Sequence, residues 1–212
     1  MEKFPSYPPP EAENKEPLFV RAHEKAETVL EIDKLSFEDF ENSEIYASGI
    51  EADKKEVERL EGLFEENRQR QGPENYDKAK KLGTILEGLI HEQAELSEWF
   101  GEDCQMINTN EFDDYKNGID SVAAFGSAAS GSFVGANFDV TFTNNPQNKL
   151  DRIADDIREK RLGTVKYFAY ENFKGELNNV AKAVLMVDID SLKELSELWV
   201  DGKKRTLVVG CR

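Results

Sequence analysis

Cysteine and histidine are scarce in this chain of 212 residues, with two of each. Cys104 and Cys211 are too few for a disulfide framework and are not at zinc-ligand spacing, which predicts ordinary thiols in a reducing compartment. His91 stands in "LIHEQ" without the second histidine of a zincin helix, so an exposed or core histidine is the simpler reading, and His23 belongs to no ligand pattern. Long apolar runs are missing: nothing approaches the roughly 18 residues of a membrane span. The start, "MEKFPSYPPP", lacks the basic-then-apolar order of a signal peptide. These absences predict a cytoplasmic protein without membrane association. The glycines of "GSAASGS" precede no Gly-Lys-Ser/Thr, no serine-centred nucleophile elbow occurs, and no long-period repeat is present. Phosphate loops, solenoids and propellers are thereby set aside.

Positive charge is the other shortage. There are 27 Lys and Arg against 43 Asp and Glu, a formal net charge of -16 and a sequence pI near 4.6. The acidity is denser in residues 1–80, with 12 basic and 21 acidic side chains, than in residues 81–212, with 15 and 22. Such a surface repels phosphate backbones at long range, which excludes a non-specific nucleic-acid binder. Action on nucleic acid through a local basic patch or a basic partner stays open.

Three regions are expected. Residues 1–17 combine proline with charge and read as a disordered tail. Residues 18–76 read as an acidic helical extension, clearest in "ADKKEVERLEGLFEENRQRQG", where Val57, Leu60, Leu63 and Phe64 make an apolar stripe and Gly72-Pro73 ends the helix. That stripe needs a partner, either the rest of the chain, a second copy in a homodimer, or another protein. Residues 77–212 read as an α/β domain. It opens with an amphipathic helix over 77–100, stopped by Gly101, then the strand "CQMINT" and the turn "NEFDDYK", whose Asp113 and Asp114 could add ligands from the loop, although a plain polar turn is the simpler reading. Two strands follow, "NGIDSVAAF" and "ANFDVTF", joined through "GSAASGS". A helix over 146–161 carries Leu150, Ile153, Ile157 and Leu162 on one face. The strands "GTVKYFAY" and "AKAVLMVDID", a helix "SLKELSELWV" with Ser191 at its N-cap, and a last strand "RTLVVG" complete the order α β β β α β β α β.

The two central strands each hold one aspartate. With the loop centred near Ala129, residue i faces residue 259 minus i, so Asp120 falls opposite Asp139. Opposed residues of an antiparallel pair have Cβ atoms about 4.5–5.5 Å apart, where two like charges are unfavourable unless a positive group lies between them. Phe138, Val140 and Phe142 share one face, and Asn137, Asp139 and Thr141 the other, beside Asp120, Val122 and Ala124. Two hard carboxylates converging beside apolar neighbours suit Mg²⁺ or Mn²⁺, which prefer oxygen ligands and retain waters for a phosphate substrate. An exposed sheet face bearing two acidic residues is the competing explanation.

From about residue 82 to 169 this order resembles the core of the PD-(D/E)XK nuclease superfamily, the restriction-endonuclease-like fold, with its helix, three-stranded meander, helix and strand. The resemblance implies an αβββαβ core, a mixed central sheet flanked by helices. "GTILEGLI" is similar to that family's Gly-x-x-x-Glu helix and points to Glu87, with Glu92 as a second choice; "NGIDSV" supplies Asp120 and "FDVTF" supplies Asp139. The resemblance implies Mg²⁺ or Mn²⁺ held by Glu87, Asp120 and Asp139. It also implies a nucleic-acid substrate, DNA before RNA. Thr141 occupies the position where the motif has lysine, and Lys166 in "GTVKYF" is the candidate migrated lysine; an exposed strand-edge lysine is the alternative. Two functions therefore remain open. One is a metal-dependent phosphodiesterase using Glu87, Asp120, Asp139 and Lys166. The other is a catalytically inactive nuclease-fold protein serving as an interaction or regulatory module.

Overall fold

The computed structural model describes residues 17–32, 34–102, 104–127, 132–142, 147–159 and 162–201. The expected tail, the last strand "RTLVVG", Cys211 and the tip of the loop "GSAASGS" lie outside them, apart from Pro17, which precedes the first helix. Among the described residues, five helices and five strands follow in this order: α1 (Leu18–Glu31), α2 (Ile50–Gln71), α3 (Pro73–Leu96), β1 (Cys104–Asn108), β2 (Ser121–Ser127), β3 (Ser132–Phe142), α4 (Gln147–Arg158), β4 (Gly163–Tyr170), β5 (Phe173–Val187) and α5 (Ile189–Asp201). A π-helical turn, Asp113–Asn117, stands between β1 and β2.

The strands form one mixed sheet in the order β1-β2-β3-β5-β4. β1, β2 and β3 are an antiparallel meander. The second half of β5 lies parallel to β3, and its first half pairs antiparallel with β4. The strand beside β3 is thus β5, reached through α4 and β4. The β2–β3 register pairs Ser121 with Phe138 and Val122 with Asn137, the residue sum of 259 expected from the loop position.

β1 and β2 are covered on both faces, and strand alternation divides the core in two. Met106 and Ala123 turn to one side, against Ala22, Ala26 and Val29 of α1, Ile85, Leu86 and Leu89 of α3, and Leu192 and Trp199 of α5. Ile107, Val122 and Ala124 turn to the other side, against Phe37, Phe40, Tyr46, Val57 and Tyr167. Residues 18–57 therefore supply a wall to each core. The boundary expected at residues 76 and 77 is not a boundary of packing: α3 begins at Pro73, four residues earlier than expected, and α1 is packed against it. The two helices approach closely at Gly88, where a Cβ would stand 2.7 Å from Ala26 Cα. Only glycine permits that contact.

Some local details go beyond the sequence reading. Of the four residues expected on one face of the helix over 146–161, Leu150 and Leu162 are 43 % and 56 % exposed, and the side chains of Ile153 and Ile157 lie outside the described residues. The cap of α5 is Asp188, whose Oδ1 accepts the Ser191 N–H at 2.8 Å, so the helix starts before the expected Ser191 cap. Within α2, Val57 is buried and Phe64 stacks edge-on against Tyr115 at 5.2 Å, while Leu63 stays exposed. The stripe is answered mainly within the chain.

Candidate functional site

A cleft of about 270 Å³ opens where one edge of the sheet meets α1 and α3. α1 supplies Glu27, Leu30 and Glu31, and α3 supplies Lys80, Thr84 and Glu87. The α3 residues are spaced i, i+4, i+7, which puts them on one face of the helix. The floor comes from Asn108 and Thr109 at the end of β1, Asp114 of the π turn, and Asp120 and Ser121 at the start of β2, with Lys34 at the side.

The π turn forms because polar groups close it at both ends. Asn110 Oδ1 accepts the Asp113 N–H at 3.1 Å, and Gly118, in the left-handed region at φ 62°, donates its N–H back to Asp114 O at 3.0 Å. The widened turn sends its two neighbouring aspartates to different surroundings. Asp113 is fully buried and accepts the N–H groups of Lys166 at 2.8 Å and Tyr167 at 2.9 Å, plus Asn117 Nδ2 at 2.7 Å. Burial nevertheless pushes its carboxyl above the usual range, against the pull of those donors. Asp114 faces the cleft, hydrogen-bonded to Asp120. Burial raises its carboxyl to about 6, while Lys34 and the bond to Asp120 pull the other way. "DD" is thus no simple polar turn: one aspartate pins the turn to β4 and the other lines the site.

Asp120 precedes the first paired residue of β2. Its carbonyl accepts the Thr109 N–H and Oγ1–H, both at 3.2 Å, and Thr109 Oγ1 also reaches Ile119 O at 2.5 Å. Those bonds hold the backbone at this corner. On α3, Gly83 stands beside the Glu87 carboxylate: a methyl there would lie 3.7 Å from Oε1. Lys34 is paired with Glu111 at 2.8 Å; burial alone would lower its pKa, but the Glu111 carboxylate outweighs it and the ammonium is held above its ordinary value.

The structure thus brings Glu87 and Asp120 into one cleft. Asp139 is placed by its backbone, next along β3 from Phe138, the partner of Ser121, and beside Val184 of β5; its side chain lies outside the described residues, as does that of Thr141. Among the described residues no three histidine, cysteine or acidic side chains form a metal-holding group. Lys166 does not line the cleft. Its ammonium binds Asp53 of α2 and lies 5.2 Å from the Phe112 ring centre, and the Tyr167 hydroxyl donates to the same Asp53 carboxylate at 2.5 Å. The acidic partner comes from a segment read as an extension, so the pairing left no local signal. Glu92, the second choice on α3, accepts from Trp199 Nε1 and from Lys25 at 2.8 Å; burial works against ionisation, but these donors lower its pKa overall. It ties α1, α3 and α5 together. His91 is buried, and His23 pairs with Glu27 at 3.3 Å on α1.

Sequence reasoning missed Lys80 and Asn108, and it set Asp114 below a plain polar turn although the neighbouring pair could add ligands from the loop. The Lys80-Thr84-Glu87 spacing was a readable signal; Asn108 had none beyond its proximity to the strand end. No family model, curated protein or solved structure matches this chain. Among the described residues, no helix is long and apolar enough to cross a membrane.

Proposed function

We propose that the protein is a divergent metal-dependent phosphodiesterase acting on nucleic acid, DNA before RNA, with an αβββαβ core of the PD-(D/E)XK kind. The observation that carries this reading is the meeting of Glu87 and Asp120, from a helix and a strand 33 positions apart, in one cleft. The order α3, β1–β2–β3, α4, followed after β4 by a strand parallel to β3, supports it, as does the register that brings the backbone of Asp139 beside this corner. The lining fits Mg²⁺ or Mn²⁺ because its described donors are oxygens, with no cysteine or histidine among them. Glu87, Asp120 and Asp139 would hold the ion, which when bound supplies Lewis acidity toward a phosphoryl oxygen. Asp114 lines the same cleft beside Asp120. Lys80, on the Glu87 face of α3, takes the role first assigned to Lys166, steadying negative charge on the phosphate as water attacks phosphorus and the ester P–O bond breaks.

The second reading, an inactive fold serving as an interaction module, draws on Thr141 in the lysine position and on the net charge of -16. Labelled single-stranded, double-stranded and branched DNA, and RNA, incubated with Mg²⁺ or Mn²⁺, separate the two. Cleavage lost by at least about a hundredfold in Asp120→Asn and Lys80→Ala, but kept in Lys166→Ala per folded molecule, supports the enzyme. No cleavage of any substrate by the wild type leaves the module.

A further inference from the structure

One atom in the cleft floor has unfinished hydrogen bonding. Asn108, the last residue of β1, is 4 % exposed and pairs with Ser121, the neighbour of Asp120. Its Nδ2 donates to Leu30 O at 3.0 Å, which fixes the orientation of the amide. The oxygen is therefore the end turned elsewhere, and Oδ1 has no hydrogen-bond partner. Native proteins leave few buried acceptors in that state, and one lining a binding cleft points to a ligand.

The neighbours say which kind. An unsatisfied acceptor takes a hydrogen-bond donor or a cation. Lys34, one of the two lysines of the lining, is already committed to Glu111. Acidic residues outnumber basic ones in the lining, and Asp114 and Asp120 are both among them. Carboxylates beside a neutral amide oxygen form the ligand chemistry of a hard divalent cation: the carboxylates balance its charge, and the amide adds an oxygen without adding charge.

The geometry points to Asn108 Oδ1 as an oxygen ligand, together with Asp120, for a hard divalent cation in this cleft. This rests on the metal-dependent reading above and extends it with a ligand from β1. It also assigns Asn108 two tasks, since Nδ2 ties β1 to the end of α1 while Oδ1 faces the ion.

The test is Mn²⁺ binding to the full chain by calorimetry, with thermal melts at matched Mn²⁺ concentrations, for the wild type, Asp120→Asn, Asn108→Ala and Asn108→Asp. Asn108→Ala is expected to weaken Mn²⁺ binding at least about tenfold. Asn108→Asp keeps an oxygen at the same place and adds charge, so Mn²⁺ should raise its Tm by more than it raises that of the wild type. Both Asn108 variants give up the Leu30 bond, so if either proves unfolded the side-chain amide NMR signal of Asn108 in the wild type decides: a shift on Mg²⁺ addition supports the assignment, and no shift while Mg²⁺ binds overturns it. Wild-type affinity in Asn108→Ala, or an Mn²⁺ increment in Asn108→Asp no larger than the wild type's, overturns the assignment. Loss of binding in Asp120→Asn alongside either result leaves the metal-dependent reading standing. No Mn²⁺ binding to the wild type overturns both.

Discussion

Replacing Asp113 with alanine should loosen the whole site from beneath. The carboxylate accepts three donors: the main-chain N–H groups of Lys166 and Tyr167, at 2.8 and 2.9 Å, and Asn117 Nδ2 at 2.7 Å. Tyr167 is fully buried, so its N–H is left without a partner, at about 1–3 kcal/mol. Lys166 and Asn117 are only partly buried and recover part of their loss through water, about 0.5–1.5 kcal/mol each. Against this, the variant no longer holds a carboxyl whose burial raises its pKa, which offsets part of the cost. A net loss of about 2–4 kcal/mol follows, a large share of the roughly 5–15 kcal/mol that stabilises a domain. In urea at pH 7, with a slope of about 2 kcal/mol per molar, the unfolding midpoint should fall by about 1–2 M. A midpoint within about 0.3 M of the wild type would refute the view that Asp113 fastens the π turn to β4.

Gly88→Ala gains helix propensity of about 1 kcal/mol, but its methyl would stand 2.7 Å from the Ala26 backbone. We expect a net loss of about 1–3 kcal/mol in the same urea assay, because α1 must move off α3; a stabilised variant would contradict the close approach. Asp114→Asn tests the burial of the cleft carboxyl. Its folded pKa of about 6 exceeds the roughly 3.9 of an unfolded aspartate, so the native state binds the proton more tightly and stability rises as pH falls from about 6 to about 4. Asparagine mimics the neutral form, so the variant should be more stable than the wild type by about 1–3 kcal/mol at pH 8, with the advantage fading below about pH 4. A pH-independent difference, or a less stable variant at pH 8, would show that the charge is not disfavoured there.

Much of the sheet was readable because strand and helix periods are local properties. Alternation in "NGIDSVAAF" and "ANFDVTF", with a short small-residue loop between them, was sufficient to set the β2–β3 register. The same locality located α4, β4 and α5 to within a few residues. Locality also explains the errors. An apolar stripe states that a helix is covered but not by what, so α1 and the segment before α2 looked like an appendage although they wall both cores. Lys166 looked available for chemistry because its partner, Asp53, lies 113 residues away.

The order of elements, the acidic surface and the identity of Glu87 and Asp120 as candidates were thus decided by the sequence alone. Tertiary structure alone decided that those two carboxylates share a cleft with Lys80, that Lys166 belongs to Asp53, and that adjacent aspartates at 113 and 114 do different work. The physical reason is range. Backbone period and composition act over a few residues, whereas a buried charge selects its partner by proximity in space, and that proximity exists only after the chain has folded.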